Sequence, residues 1–237
     1  MLPELPELTH SELDALRLSL KVAFVSVLVS LPVGFSLAWL FAKKQFPGKS
    51  LLDAIVHLPL VLPPVVIGYA LLLGFGRRGP IGAWLEETFG LVLAFRWTGA
   101  ALACALMGLP LMVRAIRQSL EAIDPRLDAA AATLGANRLW VLVTVTLPLA
   151  LPGVITGALL AFARSLGEFG ATITFVSNIP GETQTLPLAI YSYTQVPGGD
   201  AQALRLCALS VVLSLAALLS SEWLVRRANR KVLGNAA

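Results

Sequence analysis

The chain is short of charge. Aspartate, glutamate, lysine and arginine make up 14% of its 237 residues, whereas 57% are hydrophobic. Its mean hydropathy is +0.78, and its apolar residues come in runs of about twenty, the length that crosses a bilayer. A water-soluble domain is excluded. Reactive side chains are equally scarce, with two cysteines and two histidines in all. Cys104 and Cys207 each fall inside an apolar run and are expected to be small buried hydrophobes. His10 and His57 are far apart and offer no metal-ligand spacing. No Ser-His-Asp or Cys-His arrangement is present, and no carboxylate pair stands at a useful spacing. The chain is therefore not expected to be an enzyme, to hold a metal or a cofactor, or to carry a nucleotide site of its own. The formal charge of +4 does not indicate nucleic acid, because the basic residues cluster at the ends of the apolar runs and report membrane orientation instead. The first sixteen residues are acidic and lack the charged-then-apolar pattern of a signal peptide.

What is present reads as an all-α, polytopic membrane protein in lipid, one transmembrane domain over residues 1–237. Five spans are expected, at about 13–41, 51–75, 97–116, 147–176 and 203–225. Ser11 is a plausible cap for the first, with Glu12 and Asp14 in its first turn. The second carries Pro59, Pro63, Pro64 and Gly68, so a straight helix is not expected there; neighbouring helices re-satisfy the backbone groups that such a break frees. A short amphipathic piece lies around Trp84–Phe89. The segment 177–199 is polar and rich in proline, glycine and threonine. Pro47-Gly48-Lys49-Ser50 resembles the end of a phosphate-binding loop, but that motif needs a glycine where Lys43 stands, and the reading is a basic turn between spans.

An odd number of spans puts the termini on opposite faces. Lys43, Lys44 and Lys49 share a side with Arg114, Arg117, Arg126 and Arg138 and with the basic C-terminus. The positive-inside rule then places the N-terminus outside and the C-terminus in the cytoplasm.

Between the third and fourth spans, Asp124–Gly135 could not sit in lipid. Asp124 is a good N-cap, Pro125 occupies the first helical position, and Ala129, Ala130, Ala131 and Ala132 have the highest helix propensity. Gly135 supplies the left-handed residue that ends such a helix. The expectation is a cytoplasmic surface helix of about ten residues, roughly 15 Å long. Its small alanines would let a partner approach closely, and Leu127 and Leu134 offer apolar contacts. An ordinary loop helix packed on its own protein fits the same pattern.

The second informative stretch runs from Phe162 to Tyr193. Arg164 and Glu168 are four apart and share a helix face. Ionisable residues within a span are costly and usually face the bundle interior or a wet cavity. They are read either as lining or gating a path, together with Phe169 and Thr172, or as a structural ion pair. Gly167 and Gly170 indicate irregular backbone beside a cavity.

Two resemblances attach to these stretches. The Ala130-Ala131 pair, Gly135 and the later Leu147-Pro148 resemble the EAA loop of ABC importer permeases. In that family the loop is a coupling helix that docks on a cytoplasmic ATPase, which here would involve Asp128, Ala129, Ala130, Ala131, Leu134 and Gly135. The family's glutamate position is occupied by Ala129, and Asp128 is the nearest acid. Gly167–Thr172, Asn178–Gly181 and Thr185–Tyr191 closely resemble the molybdate branch of the oxyanion importers, and the first two spans look like the same family. The resemblance implies a homodimer with one pathway in the cell inner membrane. It also implies two cytoplasmic ATPase subunits and an extracytoplasmic molybdate-binding protein, with molybdate transported by alternating access. A sulfate or thiosulfate permease is the alternative within the class. An ion-coupled secondary carrier is the alternative outside it, although such carriers often show internal repeats and none is visible.

Overall fold

The computed structural model describes the backbone of residues 9–133 and 135–234, with side chains except at Asp128, Ala129, Ala132, Arg138 and most positions after Ser220. The acidic start up to Leu8, Leu134, and the side chains of Arg226, Arg230 and Lys231 in the basic C-terminus therefore lie outside the described residues.

The described chain is a bundle of α-helices. Four of them are long and apolar enough to cross a membrane: α1 (His10–Lys43), α5 (Trp97–Glu121), the continuous run Leu139–Leu166, and α11 (Asp200–Gly234) over its first part, Asp200–Ser220. A fifth crossing is made only if α2 (Lys49–His57), with the short 3-10 turn after it, and α3 (Pro64–Phe75) count as one span. They meet at 110°. Pro63 and Pro64 cause that break, since proline removes a backbone donor and disfavours helix in the residue before it. The run Leu139–Leu166 contains the end of α7 (Arg138–Val141), a π turn at Leu142–Thr146, and α8 (Leu147–Leu166).

Neighbour pairs fix the directions. Lys21 of α1 lies over Trp97 of α5 and Phe41 lies against Arg117, so α1 and α5 run parallel. Helix α8 returns antiparallel to α5, and the packing is close because the contact is made of small residues. A Cβ on Gly157 would stand 2.9 Å from the Met112 carbonyl oxygen. At the head of the bundle the Glu12 carboxylate accepts from Arg205 Nη2 at 2.6 Å and Nε at 3.0 Å, tying the start of α1 to the start of α11. The α1 N-terminus and the far end of α11 thus lie at opposite ends of the bundle.

Several local expectations change. The cap of α1 is Thr9, not Ser11: Glu12 N–H donates to Thr9 Oγ1 while Thr9 N–H donates to the Glu12 carboxylate, a reciprocal box that a Thr-x-x-Glu spacing makes possible. The apolar stretch 147–176 is divided, because α8 ends at Leu166 and a separate α9 (Gly170–Val176) follows. The polar segment 177–199 is not irregular throughout: it holds α10 (Leu186–Thr194), which starts on Thr185-Leu186-Pro187, with proline in the first turn where it costs no hydrogen bond. Cys104 is buried as expected, but Cys207 is exposed on α11, whose flank has no neighbour in a single copy of the chain. The amphipathic piece is α4 (Pro80–Phe89). Pro47-Gly48 is a turn that leads into α2, with Gly48 at φ +86° and Lys49 Nζ donating to the Lys44 carbonyl.

Candidate functional site

The Asp124 stretch folds as its local chemistry dictates. Asp124 Oδ1 accepts from Arg126 N–H at 2.9 Å and α6 spans Pro125–Thr133. Gly135 follows at φ +83°, a conformation that costs an L-residue with a Cβ. The turn brings Ala136 N–H to the Ala131 carbonyl at 3.2 Å, which satisfies one of the orphan acceptors at the helix end. Asn137 then caps α7, accepting from Trp140 N–H at 2.8 Å.

Among the described residues, helix α6 packs mainly against α7 and the π turn, at the near end of the Leu139–Leu166 run. Its surroundings are apolar and open: Leu127 is 46% exposed, Leu139 74% and Trp140 63%, and Ala130 is exposed as well. An open cleft of about 410 Å³ lies between Ala131, Gly135, Ala136, Asn137, Trp140 and Thr144. Nothing is described of Leu134 or of the side chains of Asp128 and Ala129. Asn137 and Trp140 were not singled out from the sequence, although an asparagine followed by Leu139 and Trp140 is a recognisable helix start.

The second set gathers at the other end of α8, where the helix breaks. Arg164 and Glu168 pair at 2.6 Å, with the arginine side chain 28% exposed and the glutamate 1%. The other carboxylate oxygen of Glu168 accepts from Ala171 N–H at 2.7 Å. One side chain therefore joins α8, through Arg164, to the first turn of α9, through a backbone donor that would otherwise be orphaned. A buried carboxylate without such partners would cost several kcal/mol. Thr172 is buried, and its hydroxyl donates to the Phe169 carbonyl at 2.9 Å, so it steadies the same turn. The Phe169 ring lies 5.2 Å from that of Tyr191, centroid to centroid.

The break has support that the sequence did not reveal. Ser165 Oγ lies 3.0 Å from Ser26 Oγ of α1, and Cys104 Sγ of α5 donates to the Ser165 carbonyl at 3.7 Å. Helix α9 lies directly on α3: a Cβ on Gly68 would come within 2.5 Å of the Ala171 carbonyl oxygen, so only glycine permits this approach. The two helix breaks, at Pro63–Pro64 and at Gly167–Phe169, are thereby side by side, and a Cβ on Gly170 would meet Pro64 at 2.8 Å. The structure thus unites Arg164, Glu168, Phe169 and Thr172 in one place. It sets the α6 residues apart, at the opposite end of the α7–α8 run.

Comparison with known proteins agrees with this arrangement. Residues 30–230 match the model of the family described as binding-protein-dependent transport system inner membrane component. The molybdenum transport system permease protein ModB of Escherichia coli is 60% identical over 219 residues, 92% of this chain and 96% of that one. The sulfate transport system permease protein CysT of the same species is 36% identical over 224 residues, 93% and 79% of the two chains. Among solved structures, a chain of a bacterial alginate ABC transporter, crystallised with an alginate pentasaccharide-bound periplasmic protein, superimposes with a TM-score of 0.72. It is 17% identical and covers 92% of this chain and 80% of that one, a likeness of fold. The chain belongs to the family of binding-protein-dependent transport system inner membrane components.

Proposed function

We propose that this chain is the membrane-spanning permease subunit of an ATP-driven molybdate importer. The observation that carries the reading is the close identity, over nearly the whole chain, to a permease named for molybdenum transport; the identity to a sulfate permease is much lower. The fold is compatible with the role. A bundle with one capped helix projecting from its end, in an open apolar setting, is suited to receive force from a partner. Broken helices at depth are suited to a pathway, since irregular backbone within a membrane is tolerated where protein or a wet cavity covers it.

In this reading two copies of the chain form one pathway. Two cytoplasmic ATPase subunits dock on α6 through Ala130, Ala131, Gly135 and the flanking Asp128, Ala129 and Leu134. An extracytoplasmic binding protein delivers the anion. The chain itself hydrolyses nothing. The N-terminus faces outward and the C-terminus, with α6, faces the cytoplasm. Closure of the ATPase pair moves α6, the motion travels along the continuous α7–α8 run, and the α8–α9 break opens or shuts the path. Arg164, Glu168, Phe169 and Thr172 form the gate region. Glu168 holds the partly exposed Arg164 at the path's edge, where its charge favours an oxyanion without trapping it.

The orientation predicts that a reporter enzyme fused after Pro197 is active outside the cell and one fused after Leu233 is active inside. The reverse result, or both on one side, would contradict the placement of α6. The substrate reading predicts that the chain, expressed with its own partners in a host lacking molybdate uptake, restores molybdoenzyme activity at low external molybdate. Rescue of growth on limiting sulfate, with no effect on molybdoenzymes, would favour the sulfate alternative. For the gate, Glu168→Gln keeps an acceptor for Ala171 N–H, and Arg164→Gln removes the charge that Glu168 balances. The double variant should assemble normally yet take up molybdate about tenfold more slowly, a loss equivalent to about 1.4 kcal/mol. Wild-type uptake in that variant would make the pair structural only.

A further inference from the structure

We infer that a polar waist divides each copy of this chain into two halves that pivot against each other during the transport cycle; the inference rests on the importer reading above. The apolar interior is not one core: besides a small cluster of Ala15, Leu186, Ala189 and Leu206 that ties the start of α1 to α10 and α11, it holds two larger ones along α1 and α5. One buried cluster joins Val22 of α1, Ile67 and Leu71 of α3, Cys104 of α5 and Phe175 of α9. A second joins Phe41 of α1, Val56 of α2, Ile116 of α5 and Ala150 and Ala161 of α8. Helices α1 and α5 thread both clusters, and each passes from one to the other at a small residue. On α1 the change falls at Ser26, between Val25 and Val27. On α5 it falls at Gly108, between Met107 and Leu109.

The contacts at that level differ in kind from those above and below. Ser26 and Ser165 meet hydroxyl to hydroxyl, and Cys104 reaches the Ser165 carbonyl; one turn into the second cluster, Ser30 Oγ lies 3.9 Å from Met112 Sδ. Each of these serines also has an acceptor within its own helix: Ser26 the Ala23 carbonyl, Ser165 the Ala161 carbonyl and Ser30 the Val27 carbonyl. Parting the helices here leaves no hydroxyl orphaned, and the Cys104 S–H, a weak donor, is the one that loses its acceptor, so the usual penalty for breaking a buried polar contact is small. Parting either apolar cluster would instead open a cavity in a close-packed interior. The waist is therefore the cheapest plane along which the bundle can bend.

The remaining elements agree. Both helix breaks lie at this level and touch each other, and beyond them α3 and α9 are locked backbone to backbone at Gly68. A cavity of about 300 Å³ lined by Ala163, Gly167, Leu186, Ser210 and Leu213 lies beside the α8–α9 junction and gives it room to move. Glu168 spans the junction as a strap, its carboxylate gripping α8 on one side and α9 on the other. The outer body is then α3, α9 with the segment that follows it from Ser177, and the first half of α5. The inner body is α2 with most of α8 and the second half of α5.

The test is distance measurement between spin labels in the assembled importer in nanodiscs, with one labelled copy per complex, without nucleotide and with ATP plus vanadate. Cys207→Ser removes the exposed thiol, and the buried Cys104 stays. Labels go on exposed positions: Leu73→Cys with Ile179→Cys within the outer body, Leu51→Cys with Leu151→Cys within the inner, and Leu73→Cys with Leu151→Cys across the waist. A label at Leu73→Cys in both copies reports the motion of whole subunits. The expected result is unchanged distributions within each body and a shift of more than about 2 Å across the waist, beyond the usual scale of small helix adjustments. A steady cross-waist pair with a shifting inter-copy pair means the chain moves as one rigid body, which overturns the pivot and leaves the importer reading standing. A shift within the outer body also overturns it. If no pair responds to nucleotide, including the inter-copy pair, the importer reading fails and the pivot with it.

Discussion

The buried carboxylate of Glu168 is the constraint on which the joint between α8 and α9 depends. A single side chain, 1% exposed, balances Arg164 at the end of α8 and completes the first turn of α9. Without it the interior would hold an unpaired arginine on one helix and an orphan backbone donor on the next. The arrangement tolerates a helix break at membrane depth because the freed groups are satisfied within the protein. Its placement depends in turn on Ser165, which meets α1 through Ser26 and α5 through Cys104, and on Gly68, which lets α3 approach α9. A break that would be a defect in isolation is thereby a fixed, repeatable joint.

The other end of the same rod is built on different physics. Helix α6 rests on local chemistry alone: an aspartate cap, a proline in the first turn, alanines, and a glycine at positive φ. Among the described residues it packs mainly on α7 and the π turn, and it has an apolar, open flank at Leu127, Leu139 and Trp140. Between the two ends lies a helical run from Arg138 to Leu166 with one π turn in it. A rod attached to a surface helix at one end and to a joint at the other transmits displacement, provided the rod is stiffer than the joint. The packing of α8 on α5 through small residues such as Gly157 supplies that stiffness.

What could be read from the sequence was mostly what is decided within four residues along the chain. Asp124, Pro125 and Gly135 foretold α6 because caps and left-handed turns are local. Pro63 and Pro64 foretold the bend between α2 and α3 for the same reason. Arg164 and Glu168 could be placed on one helix face by spacing, yet the second role of Glu168 could not, because the break that frees Ala171 N–H is itself a tertiary outcome. Ser26 and Ser165 are 139 positions apart, and no periodicity links them. Thr9 caps α1 in place of Ser11 because only Thr9 stands three residues before Glu12, the spacing that a reciprocal bond needs. Asn137 caps a helix that begins well before the apolar run at Leu147, so hydropathy alone does not mark it. Cys207 was expected inside because apolar composition does not distinguish a core face from a face turned to lipid or to another subunit.

The central claim is that α6 carries motion from a nucleotide-driven partner to the joint at Glu168. The most direct measurement is molybdate uptake and ATP hydrolysis in the same reconstituted vesicles, comparing wild type with Ala130→Arg. Ala130 is exposed on a surface helix, where substitution ordinarily costs within about 0.5 kcal/mol of stability, so the variant should insert and assemble normally. The account predicts that uptake falls sharply and that hydrolysis is lost or no longer responds to the binding protein. Wild-type values for both would contradict it.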